Sequence, residues 1–456
     1  MARRSGAPTR TRLLALRVLE RVERSGAFAD LMLHAALGRS RLAAPDRAFA
    51  TELVYGTLRW RGRLDFLLSK VVDRRLDRLD SYVANALRLG AYQLVVAERV
   101  PVTAAVDESV RCVRAAGLER ATGLVNAVLR RLAERHRAIE LPALEADPLA
   151  HLTHVLSLPA WLAERWLALY GPEEAAALAQ ASNRPPPLTV RANPHRQSRD
   201  ELLAELRARF PEAEACRHAP RGIVLGRRGV AALDPAFSEG RFTVQDEAAQ
   251  LVVSLLDPRP GERVLDLCAA PGGKATAIAE DVGRDGAVVA VDRHAGRLDL
   301  VRRAARRLGL PGLTALVRDA TRPLADLAAD GPFDRVLVDA PCSGLGTLRR
   351  NSDARWRVAP DDPARLAEAQ RAMLAQAARV LRPGGVLVYS TCTMLPEENE
   401  EVLQAFLADA GDFALTPREA LPGPVRELVG GDGLLRTTPH RHDMDGFVAA
   451  RLERRP

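Results

Sequence analysis

From about residue 240 to the C-terminus, short apolar runs alternate with longer segments of helical spacing, and no other pattern in the chain restricts its fold as much. Val264-Leu-Asp-Leu, Ala287 to Val291, Leu313 to Val317, Arg335 to Val338 and Gly385 to Tyr389 are each four or five residues long and mostly apolar. A strand with one wet face alternates in polarity, whereas a nearly continuous apolar run belongs to a strand covered on both faces. Segments 294 to 308 and 365 to 381 between them carry helical periodicity. Strand and helix in alternation predict crossover connections, parallel strands and a doubly wound α/β sheet. The tail, Leu434 to Thr438 and Phe447 to Leu452 around a turn, predicts an antiparallel pair at the sheet edge.

Open α/β sheets bind ligands at the carboxyl ends of their strands, so the residues there carry the functional reading. The first run leads into Leu265-Asp-Leu-Cys-Ala-Ala-Pro-Gly-Gly-Lys-Ala-Thr, where small residues admit a ligand to the backbone and the following helix offers free N–H groups. Asp292 ends the second run, where a carboxylate can accept both hydroxyls of a ribose, and Asp319 is expected to end the third in the same manner. The G-x-G-x-x-G that accommodates a pyrophosphate is missing. One adenosine with an amino-acid tail fits better than a dinucleotide. The last two runs lead into Asp339-Ala-Pro-Cys-Ser-Gly-Leu-Gly and Tyr389-Ser-Thr-Cys-Thr, which puts Cys342 and Cys392 at the same edge as that nucleoside site.

An isolated cysteine is most often a small buried hydrophobe. Two of them at neighbouring strand ends suit a specific reaction, methylation of cytosine at C5. That carbon attacks a methylsulfonium only after a nucleophile has added at C6, with a proton at N3 assisting. Asp339 is placed to serve N3, and Lys274 to hold Asp339. Removal of the C5 proton and departure of the thiolate then require a second ionisable group. The residues alone leave the roles of the two cysteines exchangeable.

Upstream, segments 8 to 24, 45 to 60, 80 to 96, 101 to 117 and 119 to 135 space their apolar residues three or four apart and predict an all-α domain. In the fourth, Val102, Val106, Val110 and Val113 form the expected buried stripe with Cys112 beside it. Pro185-Pro-Pro ends this region, and beyond it Leu188 to Arg191 and residues 222 to 225 read as strands, with a capping-box helix starting at Ser198. The expected division is therefore 1–140 helical, 141–239 linker and small α+β domain, and 240–456 catalytic. The net charge of +8 is almost wholly arginine, since only Lys70 and Lys274 are lysines, and residues 1 to 60 hold eleven Arg against five acids. Such a balance fits a phosphate-rich partner. Five dispersed cysteines without a CxxC pair argue against a zinc site or disulfide framework. Absence of a signal peptide or an apolar run of membrane-spanning length predicts a cytoplasmic protein.

DLCAAPGGK, DAPCSGLGTLRRNSDARW and YSTCT resemble the motifs of the bacterial 16S rRNA (cytosine-5) methyltransferases of the Sun or Fmu type, and the resemblance covers nearly the whole chain. PVTAAVDESVRCV and GLVNAVLRRL look like that family's N-terminal domain, which is similar to the NusB antitermination factor. The resemblance implies a class I (Rossmann-like) methyltransferase domain that binds S-adenosylmethionine through Cys268, Ala269, Ala270, Pro271, Gly272, Gly273, Lys274, Asp292, Asp319 and Asp339. It implies Cys392 as nucleophile, Cys342 in product release, and Asp339 and Lys274 as the remaining catalytic residues. It also implies 16S rRNA, free or in an assembly intermediate, as substrate, no metal, no membrane and a monomer. Related enzymes acting on tRNA or 23S rRNA, and a non-catalytic RNA-binding assembly factor, are the alternatives.

Overall fold

Apolar residues at helical spacing fill the first part of the chain, and each of the five expected segments forms a helix. A computed structural model describes residues 9–97, 99–226, 231 and 234–456; the start of the first expected segment, residue 8, lies outside them. Two units result, one from the described residues up to Arg184 together with Leu348–Pro360, the other from Pro185–Thr347 and Asp361–Pro456. No helix among the described residues is long and apolar enough to cross a membrane.

The first unit begins with α1 (Arg10–Ser25), α2 (Ala29–Gly38), α3 (Ala44–Arg59), α4 (Arg61–Ser69), α5 (Ser81–Val95), α6 (Val102–Ala115) and α7 (Thr122–Arg135). α1 stops at Gly26, whose left-handed φ of 61° lets its N–H reach Val22 O, and Asp80 caps α5 by accepting from Tyr82 N. Leu16, Leu53, Leu64, Leu87, Val113 and Leu129 meet in one core. Cys112 belongs to that core as a hydrophobe, its thiol pushed up to about 12, chiefly by burial. The valine stripe of α6 needs one correction: Val102 is 52% exposed. It sits at the helix entrance just after Pro101, beyond the reach of the core, and the buried face runs instead through Ala105, Val106, Ser109, Cys112 and Val113.

Segment Leu348–Pro360 is part of this helical unit although it lies between two strands of the other. Arg355, fully buried, donates to Arg59 O, Ser157 O and Asn183 Oδ1, and Trp356 Nε1 donates to Leu58 O at 2.6 Å.

The second unit opens with a small antiparallel sheet of β1 (Thr189–Ala192), β2 (Glu214–Ala215), β3 (Gly222–Val224) and β4 (Phe242–Val244) in the order β2-β3-β1-β4. The expected capping box forms, with Glu201 N donating to Ser198 Oγ and Ser198 N to Glu201 Oε2. The large sheet follows as β5 (Arg263–Asp266), β6 (Ala287–Asp292), β7 (Leu313–Val317), β8 (Phe333–Asp339), β9 (Leu381–Thr391), β10 (Phe413–Leu415), β11 (Leu435–Thr437) and β12 (Phe447–Arg454). Its order among the described residues is β10-β12-β9-β8-β5-β6-β7, parallel from β9 to β7. Neighbouring residues of one strand enter opposite cores: Val264 and Leu337 join one cluster, Leu265, Val336 and Val338 the other. Both faces are thus covered, as apolar runs without alternation require. β11 and β12 pair antiparallel as expected, but β12 is no edge strand. It bonds β9 on one side and β10 and β11 on the other.

The small sheet is fastened to the large one by Arg191, 1% exposed, which donates to both oxygens of Glu280 at 3.0 Å, to Gly273 O and to Thr276 Oγ1. Arg191→Ala leaves Glu280 with Arg221 alone, 3.0 Å away, and is expected to destabilise the second unit by up to roughly 3–5 kcal/mol, the cost of breaking a buried pair. A double-mutant cycle with Glu280→Gln, read by chemical denaturation, checks this: the double variant should be less destabilised than the sum of the two singles.

Candidate active site

The loop after β5 is stitched to the strands on either side, Leu267 N donating to Leu337 O at 2.9 Å and Ala269 N to Val291 O at 2.8 Å. It enters the helix Gly273–Val282 through Gly272, whose φ of 112° and distance of 3.1 Å from an added Cβ to Val301 Cα leave no room for a side chain. The loop faces a cleft of about 220 Å³. Of the expected cofactor residues, Cys268, Ala270, Asp292, Asp319 and Asp339 line this cleft. Ala269, Pro271, Gly272, Gly273 and Lys274 build the loop and helix start that carry it. Asp292 ends β6, is nearly buried and accepts from His294 N at 2.8 Å. Asp319 departs from expectation. It lies two residues beyond β7, exposed, with Oδ1 accepting from Thr321 N and Oγ1, bonds that hold its carboxyl below the ordinary value. A carboxylate two residues before a threonine closes a turn as readily as it faces a ligand.

The catalytic candidates come together. β8 and β9 run parallel with Asp339 opposite Ser390, so the residues just beyond them leave the sheet side by side. Cys342 Sγ and Cys392 Sγ lie 3.2 Å apart, and Cys392 N donates to Cys342 Sγ at 3.3 Å. Lys274 Nζ donates to Asp339 Oδ2 at 2.8 Å, and Ser390 Oγ to Asp339 Oδ1 at the same distance. Both cysteines and Asp339 border the cleft. Gly346 lets the Cys342 loop close: its N–H donates to Cys392 O, and a Cβ there would collide with the backbone carbonyl of Gly446.

Charge is arranged unevenly. Burial opposes the Lys274 ammonium, but Asp339, with Cys392 and Asp266 behind it, outweighs burial and holds Lys274 above the ordinary lysine value. Asp266 is fully buried, and burial followed by Asp339 raises it to about 7. The Cys342 thiol stands well above its ordinary value, first through its hydrogen bond to Cys392 and then through burial. Cys268 is likewise held as a thiol, chiefly by burial, with Sγ 3.8 Å from Met373 Sδ. Among the described residues no group of His, Cys, Asp and Glu is arranged to hold a metal ion.

Sequence reasoning missed Ser390, Phe447 and the pair Glu398 and Asn399. Ser390 had a signal, since the last residues of adjacent parallel strands face one another. Phe447, whose ring lies 4.9 Å below Lys274 Nζ, had none, because β12 looked like an edge strand. Glu398 and Asn399 lie in an acidic stretch, Glu397 to Glu401, that singles out neither of them.

Three family models match the chain: the NusB family over residues 9–134, the ferredoxin-like domain of RsmF/B-like methyltransferases over 158–231, and 16S rRNA methyltransferase RsmB/F over 253–453. The chain is 37% identical to the probable ribosomal RNA small subunit methyltransferase B of Bacillus subtilis, covering 98% of this chain and 99% of that one. It is 40% identical to the ribosomal RNA small subunit methyltransferase B of Pseudomonas syringae over 89% of each. The crystal structure of PH0851 superposes with a TM-score of 0.80 at 27% identity, covering 97% of this chain and 99% of that one.

Asp266 gives the site a pH signature. Folded, it keeps a proton up to about 7; unfolded, it loses it near the ordinary aspartate value of 3.8. Between those values the native state binds more protons, so stability contributed by Asp266 falls as pH rises through that window. Asp266→Asn is expected to flatten this decline, by a few kcal/mol at about pH 7, in denaturation curves of the ligand-free protein from about pH 4 to 8. An unchanged slope would remove the buried proton from Asp266.

Proposed function

Because the chain belongs to the RsmB/F family of 16S rRNA methyltransferases, we propose that it transfers a methyl group from S-adenosylmethionine to C5 of a specific cytosine in small-subunit ribosomal RNA. The observation that carries this reading is the meeting of two cysteine sulfurs, 3.2 Å apart, with the Lys274–Asp339 pair at the border of the cleft. A mere fold relative without activity has no use for a second thiol at that distance.

The cleft suits S-adenosylmethionine by its own chemistry: a nearly buried carboxylate at Asp292 for ribose hydroxyls, and small residues from Cys268 to Gly273 against which an amino-acid tail can lie. Bound there, S-adenosylmethionine supplies an electrophilic methyl group on its sulfonium. The residues do the rest. Cys392, as thiolate, adds to C6 of the cytosine; Asp339 supports the proton gained at N3, kept in place by Lys274 and Ser390. With C5 now nucleophilic, the methyl is taken up. Transfer of the C5 proton to a base then re-forms the C5–C6 double bond and breaks the C6–S bond, returning its electron pair to Cys392 as thiolate, and Cys342 is the second ionisable group that assists this release. The target base must leave its stack to reach the thiol, and the arginine-rich charge of +8 supports a phosphate-bearing substrate.

Small-subunit RNA lacking the modification, labelled S-adenosylmethionine and the variants Cys392→Ala and Cys342→Ala test the scheme. Cys392→Ala is expected to lose methyl transfer by a factor of at least about 10³, as the loss of a covalent nucleophile does. Cys342→Ala should instead accumulate a protein–RNA adduct that survives a denaturing gel. Methyl transfer undiminished in Cys392→Ala would refute the nucleophile, and bisulfite sequencing of the product identifies the cytosine.

A further inference from the structure

Glu398 ends a short turn of 3-10 helix, Pro396–Glu398, Asn399 follows it, and both are fully buried. Neither belongs to the site so far described, and both are bound to it on every side.

Glu398 holds the residues flanking Cys342. Its Oε1 accepts from Ser343 N at 2.9 Å and from Gln370 Nε2 at 3.1 Å; its Oε2 accepts from Ser343 Oγ at 2.5 Å. Gln370 Nε2 also donates to Pro341 O at 3.0 Å, so the residues before and after Cys342 are both tied to this carboxylate. Asn399 holds the residues flanking Cys392 in the same way. Thr391 Oγ1 donates to Asn399 Oδ1 at 2.6 Å, and Asn399 Nδ2 donates to Thr393 O at 3.2 Å and Leu395 O at 2.8 Å. Ser343 Oγ and Thr393 Oγ1, 2.9 Å apart, join the two halves. Tyr389, buried in β9, fixes the dipeptide from below by donating to Glu398 O at 2.6 Å.

We propose that Glu398 and Asn399 are positioning residues that clamp the two cysteine loops in register, and that the distance between the Cys342 and Cys392 sulfurs, and with it the release step, depends on them. The loops leave separate strands, and beyond the strand ends the sheet's own hydrogen bonds no longer constrain them. A buried carboxyl side chain of this length is suited to collecting an N–H, a hydroxyl and an amide at one point. The consequence for release rests on the function proposed above; the geometric part does not.

Phenylarsine oxide separates the two. It condenses with a pair of close thiols, forming two As–S bonds and releasing one water while arsenic stays trivalent, and it needs neither RNA nor S-adenosylmethionine. The wild type is expected to take up one equivalent, and Cys342→Ser none. Glu398→Ala and Asn399→Ala should lower the rate of capture at least about tenfold, because a pair held at fixed distance reacts as one unit. Glu398→Gln, which retains acceptor and shape, should recover most of it. In parallel, decay of the protein–RNA adduct under single-turnover conditions should slow by about tenfold in Glu398→Ala and recover in Glu398→Gln, with S-adenosylmethionine affinity changed by less than about twofold. Capture at wild-type rate in both alanine variants would overturn the clamp. Should the alanine variants fail to fold, Ser343→Ala decides: it deletes one side-chain link, and capture as fast as wild type counts against the proposal. Loss of capture with no adduct in any variant, wild type included, would retain the clamp and reject the covalent mechanism.

Discussion

Parallel pairing between β8 and β9 is the constraint on which the rest of the site depends. Val336 pairs with Leu387, Leu337 with Val388 and Asp339 with Ser390, so residues at the two strand ends point to the same face. A slip of one residue would exchange the faces of every side chain on one strand. Were β9 to slip, Tyr389 would leave its buried apolar neighbourhood for the opposite core, Ser390 would turn from Asp339, and Cys392 would leave the sheet displaced from Cys342. The register is held by what the two cores accept, since Leu387 and Val388 belong to different clusters. Placement of the sulfurs thus follows from hydrophobic patterning several residues away.

That placement concentrates groups that resist burial. Lys274, Asp339, Asp266 and two thiols share one end of the sheet, and Asp266 is held in it without any exposure to water. An arrangement of this kind detracts from stability unless a ligand compensates, which is the ordinary cost of preorganised sites. Elsewhere in the second unit buried charges such as Arg191 with Glu280 and Arg335 with Glu262 are paired. The contrast marks the cleft as the place where polarity is left over for something to bind.

Much of this was legible in the sequence because apolar runs and strand-end residues report directly on a doubly wound sheet. Cys342, Cys392, Asp339 and Lys274 could be grouped before any coordinates, since each follows an apolar run at a fixed short offset. Other features left weaker traces. α2 and α4 were not foreseen: α4 is separated from α3 by Trp60 alone and carries Gly62 in its first turn, so the pattern reads as one interrupted segment. β10 and β4 are three residues each, too short for a periodicity to register. Val102 and Asp319 were placed by periodicity and by analogy between strand ends, and both positions lie where an element has already ended or barely begun. Glu398 and Asn399 are recognisable only from their partners, which are distant in sequence and come together through the loop that follows β9.

Segment Leu348–Pro360 sets a further limit on reading domains from a linear pattern. The chain leaves the Cys342 loop at Thr347, contributes to the helical unit, and returns at Asp361. Within that unit Arg355 carries a buried charge whose acceptors include two backbone carbonyls, Arg59 O and Ser157 O, and burial lowers its guanidinium to about 9. An arginine so placed has no stable alternative in an isolated α/β unit, where its segment would have neither those carbonyls nor the Leu58 carbonyl that takes Trp356 Nε1. The helical unit is therefore not an appendage that can be cut away at a proline-rich junction. Removing it strips partners from a segment whose two ends are continuous with the catalytic part, one of them a few residues from Cys342 itself.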